Sequence, residues 1–158
     1  PRHNRLYLEP HLPPELAGTQ LNYWLRGRMH VVYLNPHRCR IAVDGFAVSD
    51  SQPFAVNVTG DTVEYFSGER QSPSLTIARQ AGLALELRIE SWSEQKHRRW
   101  TESGAPVTAE HVICDLPANT NFSLYVDGVR VQTVTSDAVG RLAFRHERQG
   151  TNSFELKP

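Results

Sequence analysis

Neither sign of charge predominates in this sequence, no apolar run is long, and sulfur is scarce. Lysine plus arginine and aspartate plus glutamate each number 17, so no net field draws the chain to nucleic acid or to an anionic membrane. No apolar stretch approaches the roughly 18–20 residues of a membrane-spanning helix. The opening Pro1-Arg2-His3-Asn4-Arg5 has neither an initiator methionine nor the apolar core of a signal peptide. The expectation is a chain with no nucleic-acid or membrane partner that is a mature form, a processed product or a piece of something longer. Cys39 and Cys114 are the only cysteines. In an exported protein two cysteines invite a disulfide, whereas in the cytosol they read as two small buried apolar residues, and sequence alone does not give their separation in space.

Catalytic signatures are missing as well. His3, His11, His30, His37, His97, His111 and His146 are scattered, with no two spaced by two, three or four positions, so no local metal-ligand pair exists and neither metal nor cofactor is expected. There is no Gly-x-Ser-x-Gly, no phosphate-cradling glycine loop and no dinucleotide fingerprint. Glycosidase chemistry needs two carboxylates at a set separation. Glu86, Glu90, Glu94 and Glu102 are available, but Glu86 and Glu90 stand at strand spacing opposite an apolar face and read as solvated. No catalytic residue is assigned. Asn57-Val58-Thr59 and Asn121-Phe122-Ser123 match the glycosylation tripeptide, a pattern that chance supplies often.

What the chain does carry is a β pattern from end to end. Phe122, Leu124 and Val126 alternate with Ser123, Tyr125 and Asp127, and Asp127-Gly128 then separates that run from Val129-Arg130-Val131-Gln132-Thr133-Val134. A two-residue type I′ turn needs positive φ at both central positions, which makes Asp-Gly between strands a strong hairpin signal. Leu83, Leu85, Leu87 and Ile89 alternate in the same way with Ala84, Glu86, Arg88 and Glu90. Further runs around Leu21, Val31, Ile41, Val56, Val63, Val112, Phe144 and Phe154 recur every eight to twelve residues or so, with glycine, proline, asparagine and serine between them. No stretch keeps a helical period, and the prolines fall at run ends. The fold class is therefore all-β, an antiparallel β-sandwich, read as two packed Ig/Fn3-like units. The cluster of turn residues between Gly68 and Ser74 places their boundary so that 1–70 forms a small β-domain and 71–158 a fuller sandwich.

One constellation has binding potential. Trp92 and Trp100 flank Glu94-Gln95-Lys96-His97-Arg98-Arg99 in a polar segment that reads as a long loop or as two strands of an exposed sheet edge. Indole rings stack on sugars while Lys96, Arg98 and Arg99 can grip carboxylates or sulfates, so the five residues form a candidate carbohydrate site. The competing reading is that both tryptophans are core or inter-domain packing.

Two stretches resemble known families. Leu6-Tyr7-Leu8-Glu9-Pro10-His11-Leu12-Pro13-Pro14-Glu15-Leu16, followed by Leu21-Asn22-Tyr23-Trp24-Leu25-Arg26-Gly27-Arg28, is similar to the small C-terminal β-domain that follows the (α/α)6 barrel of the maltose and kojibiose phosphorylase family and its hydrolase relatives. In that family the segment supports the barrel and carries no catalytic residue. Trp100-Thr101-Glu102-Ser103-Gly104 through Leu116-Pro117 to Phe154-Glu155-Leu156 resembles the Fn3-like terminal sandwich of secreted bacterial polysaccharide-degrading enzymes. Phe122 stands there in place of the usual tyrosine, without its hydroxyl-to-backbone bond. Together the resemblances imply a non-catalytic C-terminal region of an extracellular or periplasmic carbohydrate-active enzyme, whose partner is a catalytic barrel or a polysaccharide. A free-standing carbohydrate-binding or assembly module is the alternative.

Overall fold

The computed structural model describes the backbone of residues 6–8, 20–25, 28–35, 38–41, 46–50, 52, 54–59, 61–68, 70, 72–79, 84–93 and 97–158, and the side chains of those from 48 onward other than 55 and 57–59. Fifteen strands follow one another among them: β1 (Leu6–Leu8), β2 (Gln20–Leu25), β3 (Arg28–Asn35), β4 (Arg38–Ile41), β5 (Phe46–Ser49), β6 (Phe54–Thr59), β7 (Thr62–Ser67), β8 (Leu75–Ala78), β9 (Leu85–Trp92), β10 (Arg98–Gly104), β11 (Val107–Ile113), β12 (Asn121–Val126), β13 (Val129–Thr135), β14 (Leu142–Arg148) and β15 (Thr151–Lys157). No helix occurs among the described residues, as the period-2 patterning requires.

The strands form two packed sheets, a β-sandwich. One has the order β1-β6-β7-β8-β11-β14 and the other β13-β12-β15-β10-β9-β5-β4-β3-β2. Consecutive strands β11 and β12 lie in opposite sheets, and so do β14 and β15. Because β11 pairs with β14 and β12 with β15, the connections interlock the two layers. Two pairings cross position 70: antiparallel β7 with β8, and parallel β5 with β9.

Alternation decides what lies between the sheets. Leu85, Leu87 and Ile89 of β9 are buried while Glu86, Arg88 and Glu90 are exposed, as their spacing predicts; Leu83 lies outside the described residues. Phe122, Leu124 and Val126 of β12 and Phe154 and Leu156 of β15 join them from the same sheet. Val63, Tyr65, Leu75, Ile77, Ile113, Leu142 and Phe144 face them from the other. The apolar surface withdrawn from water along this seam is the main stabilising contribution of the sandwich. The segment read as a loop or as two strands of an exposed edge holds, in its described part, the end of β9 and its antiparallel partner β10, but β10 runs between β9 and β15 and so is an interior strand rather than an edge.

The Asp127-Gly128 hairpin is present as its chemistry predicts. Asp127 has φ 51° and Gly128 φ 79°, positive at both central positions of the two-residue turn. The turn is also tied to the adjacent strand. Ser153 N donates to Asp127 Oδ1 at 2.7 Å, Asn152 Nδ2 donates to Oδ2 at 2.7 Å, and Asp127 N donates to Ser153 O at 2.8 Å. A Cβ at position 128 would meet nothing within 4 Å, so Gly128→Val tests backbone conformation without a clash. It should lower stability by about 1–3 kcal/mol in a denaturant titration; an unchanged midpoint would mean that the turn tolerates a β-branched residue in the left-handed region.

Candidate functional site

Along β10 the chain alternates Arg98, Trp100 and Glu102 toward the interior with Arg99 toward solvent. The inward set puts two charges and an indole N–H where water cannot reach, so each needs a partner. Glu102, 0% exposed, finds three. Trp100 Nε1 donates to its Oε1 at 2.8 Å, His111 Nε2 lies 2.7 Å from the same oxygen, and Arg148 Nη1 lies 3.3 Å from Oε2. His111 and Arg148 are each 1% exposed and stand on β11 and β14, so this cluster spans from one sheet to the other.

Because an ionised carboxylate only accepts, Nε2 of His111 carries the proton. Its Nδ1 is buried with no hydrogen-bond partner, and the ring stacks on Phe144 at 4.5 Å and 3°. Arg148 spends its other donors on Ala105 O, from Nε at 3.2 Å and Nη2 at 3.0 Å. Burial pushes the Glu102 carboxyl up. The charge and hydrogen bond of His111, the Trp100 indole and the charge of Arg148 together outweigh that, and hold it below the ordinary carboxylate value.

Aromatic rings continue the cluster into the core. Trp100 stacks on Phe154 at 5.2 Å and 8°, Trp92 tilts against Trp100 at 5.7 Å, and Tyr65 meets Trp92 edge-on at 5.4 Å. The Tyr65 hydroxyl donates to Asp50 Oδ2. Burial, and after it the charge and hydrogen bond of Asp50, raise that phenol far above its usual range, so it serves as a fixed donor.

The five residues proposed for sugar contact fall in different environments. Trp100 is 0% exposed and offers solvent no ring face; Trp92 is half-buried and packs on the core. Arg98 is buried, its Nη2 donating to Asp115 O at 2.9 Å and its guanidinium 5.8 Å from the Trp92 ring. Burial, with Asp115 opposing and Arg70 assisting, pushes it down to about 10. Arg99 is exposed and lies 3.3 Å from Glu90 Oε2. Lys96 lies outside the described residues, as does Glu94. Trp92, Arg98 and Trp100 are thus joined inside the sandwich, while Arg99 points to the opposite face.

An open cleft of about 530 Å³ lies elsewhere, lined by Glu64, Ser72, Pro73, Thr76, Cys114, Asp115, Val139 and Arg141. Cys114 carries a free thiol. Burial pushes that thiol up despite the hydrogen bond and charge of Arg141, with Asp115 and Asp137 adding to the rise, so the protonated, weakly nucleophilic form prevails. Asp115 is paired with Arg70 at 3.0 Å. Among the described residues no group of three or more histidine, cysteine, aspartate or glutamate side chains is placed to hold a metal ion.

The sequence reading did not single out the Glu102–His111–Arg148 cluster. A signal was available in Arg98-x-Trp100-x-Glu102 and Ala109-x-His111-x-Ile113, where polar residues occupy the inward phase of a strand. Comparison of the chain with models of known protein families, with curated proteins and with solved structures finds no match.

Proposed function

We propose that this chain is a non-catalytic β-sandwich module of a secreted carbohydrate-active enzyme, which supports or targets a catalytic domain. The observation that carries the reading is the sealing of Glu102, His111 and Arg148 between the sheets. The acid, base and cation that could serve chemistry are bonded to one another and to Trp100 and Ala105, with no path for a substrate to their reactive atoms. They act as an internal fastening. The carbohydrate context comes from the two sequence resemblances, to the barrel-supporting domain of the maltose and kojibiose phosphorylase family and to the Fn3-like sandwich of polysaccharide-degrading enzymes.

The purified chain should show no turnover of α-glucans, β-glucans or uronans. A rate that survives repurification and disappears in Glu86→Gln or Glu90→Gln, the two exposed carboxylates of β9, would sink the non-catalytic reading. Retention on a polysaccharide gel without turnover would move the module from support to targeting.

A further inference from the structure

The cleft of about 530 Å³ opens on the outer face of the six-stranded sheet, and strand phase explains its polar floor. Val63 and Tyr65 of β7 and Leu75 and Ile77 of β8 are buried in the core. Glu64 and Thr76, partners in the register of the same two strands, therefore face outward. Cys114 extends this floor beyond the end of β11, its N–H donating to Ser74 O at 3.0 Å. Two loops form the walls. Ser72 and Pro73 stand in one, which is pinned where Ser74 N donates to Tyr65 O at 2.8 Å and Ser67 N donates to Ser74 Oγ at 3.0 Å. Val139 and Arg141 stand in the other.

The second wall is preformed. Asp137 Oδ1 accepts from Val139 N at 2.9 Å and from Arg141 N at 2.8 Å, Asp137 N donates to Arg141 O at 2.8 Å, and Leu116 N donates to Gly140 O at 3.1 Å. Gly140 has φ 74°, and a Cβ there would fall 2.1 Å from Leu116 O, so only glycine lets the turn lie this close to the chain at 116. The lock holds Val139, 75% exposed, at the mouth of the cleft. An apolar side chain on a fixed turn loses little entropy when a ligand covers it.

The cleft has the size of a small-molecule site, for which roughly 300–1,000 Å³ is usual, and its lining selects among ligand classes. Formal charges cancel: Asp115 is paired with Arg70 at 3.0 Å, and Glu64 is matched in sign by Arg141. Neither a polyanion nor a cation is favoured. No aromatic ring stands among the described lining residues, so a nucleobase has nothing to stack on. Most of them are polar, so a lipid chain would strand groups that water now satisfies. What the lining offers is a carboxylate that accepts, a guanidinium that donates and the Ser72 and Thr76 hydroxyls that do both, beside the apolar Pro73 and Val139. That set complements a sugar ring, which is neutral and carries hydroxyls around a C–H face. We propose that the cleft binds a short stretch of a neutral polysaccharide, with Glu64 and Arg141 on its hydroxyls and Val139 against a C–H face. The proposal rests on the carbohydrate-active reading of the module and puts the targeting contact on the six-stranded sheet, away from the tryptophans of β9 and β10.

Affinity electrophoresis in native gels containing soluble starch, a β-glucan or polygalacturonate tests the site. The wild-type chain should be retarded by one of the two neutral glucans and run freely in the uronan. Glu64→Ala and Arg141→Ala each remove a charged hydrogen-bonding group and should weaken the retardation by roughly tenfold or more, with an unchanged circular dichroism spectrum. Should either variant fold poorly, the free thiol of Cys114 reports on the same place in the wild type, since it lines the cleft. The retarding glucan should slow its alkylation by iodoacetamide, followed on the Cys114 peptide by mass spectrometry. Retardation by neither glucan, or by the uronan as strongly as by a glucan, would overturn the proposal. So would retardation that survives both substitutions, or a glucan that retards the chain and leaves Cys114 unprotected. Each of these leaves the supporting role of the module standing, whereas turnover of a bound glucan would sink the non-catalytic reading and leave the site, so the two fail separately.

Discussion

Glu102→Ala should destabilise the fold by about 3–5 kcal/mol, the range for removing one partner of a buried ion pair. The substitution leaves the Arg148 guanidinium, 1% exposed, without its carboxylate, and strips the Trp100 indole N–H and His111 Nε2 of their shared acceptor. Replacing Glu102 and Arg148 together by leucine and methionine should recover the part of the loss that comes from the uncompensated Arg148 charge, while Trp100 Nε1 and His111 Nε2 still lack an acceptor. Acid should reveal the same interaction. The folded carboxyl titrates below its ordinary value, so its stabilisation is complete above the usual carboxylate range near ~4.3 and is lost as pH falls through the lower folded value. The wild type should therefore lose stability below that range more steeply than Glu102→Gln, in melts recorded across the acid limb. A loss under about 1 kcal/mol on Glu102→Ala, which is what an exposed pair contributes, would show that water reaches the carboxylate.

Trp100→Ala should cost a comparable amount, about 3–5 kcal/mol. The ring is wholly buried, stacked on Phe154 and in contact with Trp92 and Phe144, and its removal opens a void that spans both sheets. Trp92→Ala should cost less, because Trp92 is only half-buried and its Nε1 has no hydrogen bond to lose. Affinity electrophoresis on the same two proteins separates packing from recognition. Packing residues shift the melt and leave mobility in polysaccharide gels unchanged. A Trp100→Ala variant that melts normally but loses retention on a gel would reverse the assignment.

Strand phase was legible where hydrophobic and polar residues alternate cleanly, as from Leu85 to Glu90 and from Phe122 to Asp127. The turn at Asp127-Gly128 was legible because few other dipeptides accept two positive φ angles. Strand β10 was not, because its inward positions carry Arg98 and Glu102, which hydropathy assigns to solvent. Their burial is supported by partners elsewhere in the chain, namely Asp115 O in the connection after β11, His111 on β11 and Arg148 on β14, and that pairing exists only once the sheets have met. The tryptophans were legible as a pair but ambiguous in role, since composition does not tell an indole that faces Phe154 from one that faces a sugar. The candidate residue Lys96 lies outside the described residues.

The parallel contact between β5 and β9 bears on how quickly this chain reaches its native state. Parallel neighbours cannot be joined by a tight turn, and here the intervening chain contributes β6, β7 and β8 to the opposite sheet before it returns. The partners Phe46 and Leu85 therefore meet only after a long loop has closed, an entropic cost that falls on the folding step. The hairpins β6–β7 and β12–β13, whose partners are near in sequence, carry no such delay. Refolding should wait on this seam, and a change at Val48, fully buried beside Leu87 in the pairing, would then be felt in the rate of folding if the seam belongs to the transition state, and in the rate of unfolding if it closes afterwards.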